Sequence, residues 1–386
     1  MSFVVLGHRG MGPTARIDDL KPDFLPENTL AAFQKALDLG GDGIEFDVQL
    51  TGDGGLAVVH SDQLKRIAKA KGVAFQDAEG LCSKFNMSSL SSQDVGNNHT
   101  VPSFRGVLDF MVEQNPKHRL RAGNDLIINI ELKSDGTAGP VYDVISEYIR
   151  DGRLKKENFI FNSFEWHRLR ELRALDGDLK IMPAIKTVDL FGKENVTIPG
   201  WRVKEGTPYT PEGLQRLEDF HKEIGVYAFD CIIFDLRPEM VDFAERNGVG
   251  LFTSTSNENV NAGSIQGSLA LMVDASTRLD FTGFRADNVA ETRLFVDAIR
   301  HSKLMAQEGI IPQSHVEFQD MIRRTYPSKD QETQGLARGV HVEAAWQGAN
   351  EPVGASAGDL EPGSQAETPR SDESPEADPN TGLHKG

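Results

Sequence analysis

The sequence predicts an α/β protein of the (β/α)8 class, a TIM barrel with a β-ribbon and inserted subdomain after strand 2 and a disordered C-terminal tail. Three observations predict it. Eight short β-branched runs recur across about the first 300 residues. Helical patterns of 3.6-residue spacing lie between most of them. No GxGxxG follows the first run, which weakens the case for an open dinucleotide-binding sheet.

The strand candidates, in order, are FVVLGH (3–8), GIEFDV (43–48), LIINIEL (126–132), NFIFNS (158–163), KIMPAI (180–185), CIIFDL (231–236), GLFTST (250–255) and GFRADN (283–288). A ninth run, GLAVVH (55–60), follows the second through TGDGG, a hairpin-turn signal. It is expected to fold back as a ribbon and carry His60 toward the preceding strand. TLAAFQKALDLG and PVYDVISEYIRDGR are the clearest helices, the first with Thr29 near its start and Gly40 past its end. Residues 61–124 are polar and weakly patterned, so an insertion is expected there, within a barrel spanning 1–305. The stretch 186–211 is a long loop on the C-terminal side of the strands. Beyond the barrel, 306–326 is expected to be a helical extension. Residues 327–386 are rich in Gly, Pro, Ser, Ala and acids and bury too little apolar surface to offset their ordering entropy.

Composition narrows the function. The formal charge is 41 − 58 = −17, the wrong sign for a nucleic-acid surface, although a local basic pocket for one phosphate remains open. Two cysteines, Cys82 and Cys231, match no zinc spacing and no disulfide framework, which points to a reducing, cytoplasmic setting. The first strand begins almost at Met1, so no secretory leader is expected, and no apolar run approaches the roughly 20 residues of a membrane span.

Active sites of such barrels form at the C-terminal ends of the strands. Strand one ends in His8 and Arg9. Period-2 geometry puts Glu45 and Asp47 on one face of strand two, with Ile44, Phe46 and Val48 on the other. The third strand offers Asn129, Glu131 and Lys133 in the same way, and the ribbon adds His60. Each has a plainer explanation: a core histidine, two solvated edge acids, a Glu131–Lys133 ion pair. Those explanations would have to coincide at three strand ends of one topology. A buried carboxylate is costly unless it is paired or bound to a metal. Glu45, Asp47 and Glu131 suit a hard divalent cation, Mg²⁺ or Ca²⁺, with Mn²⁺ a further candidate. Arg9 and Lys133 suit a phosphate, and two histidines suit proton transfer near neutral pH. Together they imply phosphodiester cleavage.

HRG (8–10), PENT (26–29), IEFDVQLTGDG (44–54), VVH (58–60), IELK (130–133) and NSF (162–164) resemble the glycerophosphodiester phosphodiesterase family in identity, order and approximate spacing. The resemblance covers roughly residues 1–290. It implies a (β/α)8 barrel that hydrolyses a small-molecule glycerophosphodiester to an alcohol and glycerol 3-phosphate. It further implies metal binding by Glu45, Asp47 and Glu131, acid/base roles for His8 and His60, phosphate binding by Arg9 and Lys133, and a shaping role for Glu27. In place of the family's Asp after the ribbon histidine stands Ser61, with Asp62 next. If the strand continues, Asp62 shares the His60 face and replaces the lost carboxylate. Phe252 stands where the family usually has Trp, which is expected to leave a smaller aromatic wall. Two rival readings remain: a related phosphodiesterase for lysophospholipid or inositol-type diesters, and a catalytically weakened phosphodiester-binding barrel. An apolar rim on the 186–211 loop, from Phe191, Ile198 and Trp201, would favour the lipid substrate.

Overall fold

The computed structural model describes residues 2–14, 24–75, 80–185, 211–232, 236–255, 272, 275–276 and 278–307. Its elements in chain order are β1 (Ser2–His8), α1 (Leu30–Asp38), β2 (Gly43–Leu50), β3 (Leu56–Val58), α2 (Ser61–Ala70), α3 (Met87–Ser91), β4 (Asp94–Gly96), β5 (His99–Thr100) and α4 (Phe104–Ala122). There follow β6 (Ile127–Leu132), α5 (Ala138–Arg150), β7 (Phe159–Ser163), α6 (Trp166–Leu175), β8 (Lys180–Ile185), α7 (Pro211–Ile224), β9 (Ala228–Ile232), α8 (Pro238–Asn247), β10 (Gly250–Thr255), β11 (Phe281–Ala286) and α9 (Val289–Gln307).

Eight parallel strands close on themselves: β1 pairs with both β2 and β11, and the rest run β2-β6-β7-β8-β9-β10-β11. This is the (β/α)8 barrel, with β3 added antiparallel to β2 as the ribbon. Two strands depart from the sequence expectation. The sixth barrel strand starts at Ala228, earlier than the expected 231, and the eighth spans Phe281–Ala286, earlier than 283–288. In the sixth strand Ala228, Phe229 and Asp230 precede the CIIF run, and the eighth opens on Phe281 and Thr282, ahead of the run expected from the sequence.

Residues facing outward join the helices in the main core, with Phe46, Ile130, Phe161, Ile181 and Phe284 fully buried. Inward-facing Val4, Leu6, Ile160, Met182, Ala228, Phe252 and Phe281 form a separate plug inside the barrel. Gly283 makes room for it: a Cβ there would lie 2.3 Å from Phe252 Cζ and 2.7 Å from Val4 Cγ2. Phe252 is thus a fully buried plug residue and forms no exposed aromatic wall.

The stretch 61–124 divides in two. Ala57 on the ribbon and Val59 just past its end pack against Leu64, Ile67, Leu81, Cys82, Phe85, Leu90, Val95 and Val101, a satellite core of the insertion. Helix α4 instead puts Phe104, Val107, Leu108 and Met111 into the main core, so in packing terms the insertion stops short of it. Its inner stripe continues through polar Gln114, Asn115 and His118, and it contains Pro116, which hides its periodicity in the sequence. Residues 186–210, which include Phe191, Ile198 and Trp201, lie outside the described residues. So do 308–386, with most of the expected helical extension and all of the expected tail.

Candidate active site

Strand register builds the site. His8 pairs with Glu45 across β1–β2, Glu45 with Asn129 and Asp47 with Glu131 across β2–β6. Side chains facing inward at these levels therefore converge above the apolar plug. One oxygen from each of Glu45, Asp47 and Glu131 lies within 4.8 Å of the other two. All three residues are buried, whereas the side chains of His8, Arg9, His60 and Lys133 are between 12 and 17 % exposed and line the opening above them.

The turn after β1 is strained. Arg9 has φ +49° and Asn28 φ +58°, left-handed values that side-chain-bearing residues adopt at a cost. Both are tied to β2. The Arg9 backbone N–H donates to Glu45 Oε2 (3.1 Å), and Asn28 N donates to the Arg9 carbonyl (2.9 Å). Asn28 Nδ2 donates to Asp47 Oδ2 (2.9 Å), while its Oδ1 accepts from Asp47 N (3.4 Å). The Arg9 guanidinium reaches Glu27 Oε2 (2.8 Å) and Asp47 Oδ2 (3.2 Å), and Arg66 holds the other Glu27 oxygen (2.8 Å). Glu27 is thus clamped between two arginines at the rim. Lys133 Nζ lies 2.5 Å from Glu131 Oε1 and 3.5 Å from Asp47 Oδ1, over the Phe164 ring.

The histidines stand on opposite sides of the acids. His8 Nδ1 is 2.6 Å from Asp287 Oδ1 and its Nε2 is 4.0 Å from Glu45 Oε2. An ionised carboxylate only accepts, so His8 donates Nδ1–H to Asp287 and the neutral ring keeps the Nε2 lone pair facing the acids. His60 caps α2, its Nδ1 accepting from Asp62 N at 3.3 Å. A backbone N–H only donates, so the neutral His60 ring carries its proton on Nε2. Here the structure corrects the expected role of Asp62. The ribbon ends at Val58 and a helix starts at Ser61, which turns the Asp62 carboxylate out to Lys65 (2.9 Å) and leaves it 3.8 Å from His60 Nδ1.

Burial and neighbouring charge divide the acids. For Asp47, burial is outweighed by Arg9, Lys133, His60 and the Asn28 hydrogen bond, which hold it well below the usual carboxylate range. For Glu45, burial dominates; with Asp47 and Glu131 also raising it against His8 and Arg285, the carboxyl is pushed up to about 7. Burial beside Arg9 and Lys133 lowers His60 well below an ordinary imidazole, against Asp47 and Asp62. Burial would lower Lys133, but Glu131 and Asp47 outweigh it and raise its pKa.

The acidic cluster fits a divalent cation. Glu45 Oε1 and Asp47 Oδ1 are buried oxygens without a hydrogen bond and Glu131 Oε1 faces Lys133 Nζ, a costly crowding of buried carboxylates that coordination would relieve. Sequence reasoning missed Asn28, Arg66, Asp230, Arg285 and Asp287. The signal for two of them was present: Arg285 and Asp287 alternate in GFRADN as Glu45 and Asp47 do in GIEFDV.

Comparison with known proteins agrees with this geometry. Residues 8–277 match the glycerophosphoryl diester phosphodiesterase family. The chain belongs to that family. Membership makes it a phosphoric diester hydrolase, and relatives agree. It is 28 % identical over 265 residues to a glycerophosphodiester phosphodiesterase of Caldanaerobacter subterraneus subsp. tengcongensis, covering 66 % of this chain and 86 % of that one. A glycerophosphodiester phosphodiesterase of Bacillus altitudinis is 30 % identical over 178 residues, covering 45 % and 67 %. An Oleispira antarctica phosphodiesterase, solved in complex with the product sn-glycerol-3-phosphate, shares the fold at 18 % identity. Its TM-score is 0.51, over 76 % of this chain and 96 % of that one.

Proposed function

We propose that this family member hydrolyses glycerophosphodiesters to an alcohol and glycerol 3-phosphate, using a divalent cation held by Glu45, Asp47 and Glu131. The observation that carries it is the cluster of three buried carboxylates, with Glu45 Oε1 and Asp47 Oδ1 lacking a hydrogen bond, flanked by two histidines of opposite tautomer. The product complex of the Oleispira relative supports the substrate class. When bound, the cation supplies Lewis-acid polarisation and charge neutralisation at a phosphoryl oxygen.

The side chains do the rest. Arg9 and Lys133, kept charged by the acids beneath them, grip the phosphate at the opening. His8 Nε2 takes the proton of a glycerol hydroxyl that attacks phosphorus, and Asp287 stabilises the imidazolium that forms. His60 Nε2–H hydrogen-bonds the departing alcohol oxygen, whose proton is returned from the His8 imidazolium through solvent so that the His60 ring stays neutral, and water then opens the cyclic phosphate. Glu27 positions Arg9. Two buried cysteines outside any disulfide support a cytoplasmic site of action. Among the described residues no helix is long and apolar enough to cross a membrane.

The test is a panel of glycerophosphodiesters assayed for glycerol 3-phosphate release with and without chelator. Release should stop on exhaustive chelation and return with Mg²⁺, Mn²⁺ or Ca²⁺. Undiminished release after chelation would sink the metal assignment, and no release from any diester would sink the substrate class.

A further inference from the structure

Beneath the acidic cluster lies a cation that the proposed mechanism does not use. Arg285 projects inward from β11, its side chain 4 % exposed. One guanidinium reaches across the barrel to three acids on three other strands. Nη2 is 2.5 Å from Asp230 Oδ2 on β9, and Nη1 is 3.6 Å from both Glu45 Oε1 on β2 and Glu131 Oε2 on β6. The two distances differ in kind. The Asp230 contact is a close ion pair, whereas 3.6 Å is too long for a hydrogen bond and leaves those oxygens able to turn toward another cation.

We propose that Arg285, anchored by Asp230, is a resident counter-ion of the acidic cluster. It holds Glu45 and Glu131 together when no divalent ion is bound, and it sets ion affinity by competing for the same two carboxylates. The inference rests on the cluster being a cation site. Three carboxylates forced within 4.8 Å in a buried layer repel one another, and Arg9 and Lys133 neutralise chiefly Asp47 and Glu131 from above. From above, Glu45 meets His8 Nε2 at 4.0 Å and the Arg9 backbone N–H at 3.1 Å, and Arg285 faces it from below. Asp230 is the restraint. By drawing the guanidinium to itself it keeps Arg285 from closing on Glu45 and Glu131 and shutting the ion out.

The two members of the pair therefore have opposite effects on ion binding, which a purely structural ion pair would not produce. The full chain is titrated with Mn²⁺ by calorimetry, and melted with and without saturating Mn²⁺. Asp230→Asn, which frees the guanidinium to approach the acids, should weaken Mn²⁺ binding by about tenfold. The double change Arg285→Met with Asp230→Asn removes both buried charges and should tighten it by about as much. Its melting temperature should fall further without Mn²⁺ than with it, because the ion then does the work of the lost arginine. If the double variant does not fold, the weakening in Asp230→Asn decides. Affinities within twofold of the unmodified chain, or equal loss of melting temperature with and without Mn²⁺, would overturn the inference alone. No Mn²⁺ binding by the unmodified chain would overturn it together with the metal assignment.

Discussion

His8 and Asp287 show how far one contact determines chemistry at the scale of a residue. At 2.6 Å the carboxylate fixes which ring nitrogen is protonated, and so which one faces the acids. Asp287→Asn keeps the shape but loses the charge that stabilises the imidazolium. It should lower kcat by roughly 10–100-fold, in the range of orienting partners, with little change in KM. A kcat within twofold of the unmodified chain would separate Asp287 from the reaction. Alanine at His8 or His60 should cost roughly 10²–10⁴-fold in kcat, with the double variant far short of the product because the two act as a unit. At the ribbon end the expectation drawn from sequence alone reverses. The Asp62 backbone N–H holds His60 Nδ1 while its side chain, 59 % exposed and 3.8 Å from that nitrogen, pairs with Lys65, so Asp62→Asn should leave kcat within about twofold in steady-state assays. A large loss would mean that the carboxylate swings in to the ring during turnover.

Among the elements, what was legible in the sequence follows from how strictly a strand alternates. In β2 and β6 the polar residues near the strand end occupy one parity and the apolar residues the other, and β1 simply ends on His8, so His8, Glu45, Asp47, Glu131 and Lys133 could be placed at one barrel mouth from sequence. Parity says nothing of where a strand stops. The turn into α2 at Ser61 is a local choice made by His60 capping the helix, and it undid the reading of Asp62. Helix α4 was hidden because its inner face is half polar: Asn115 spends its side chain on the Leu126 backbone (2.7 Å), so burial there is satisfied by hydrogen bonding and leaves no apolar period. The long reach of Arg285 depends on barrel closure, which no single segment encodes. The tight contact under Phe252 gives an element-scale prediction. Gly283→Ala puts a methyl where Phe252 and Val4 already stand, and overpacking of this kind costs about 1–3 kcal/mol in chemical denaturation. Phe252→Leu in the same chain should recover part of it. Additive losses in the double variant would show that the two residues do not share the space.

For the whole molecule, the barrel and the insertion bury separate apolar clusters, and each contains one of the two cysteines. Cys231 lies in the main core, Cys82 in the satellite core that backs the ribbon. Burial, with a smaller push from Asp53, drives the Cys82 thiol up to about 12, so at pH 8 almost none of it is the reactive thiolate while the fold is closed. Labelling therefore reports opening. The satellite core is smaller and is backed by the short strand β3 and helices α2 and α3, features that lower the cost of local opening. In urea below the main transition, an aromatic disulfide reagent at pH 8 should modify Cys82 first, with Cys231 reacting only as the barrel unfolds. The order has a functional consequence. His60 stands at the junction of β3 and α2, so the opening that exposes Cys82 should also displace His60, and activity should be lost in step with the first thiol. Simultaneous modification of both cysteines would show instead that the two cores unfold as one unit. His60 would then be held as firmly as the acids on β2.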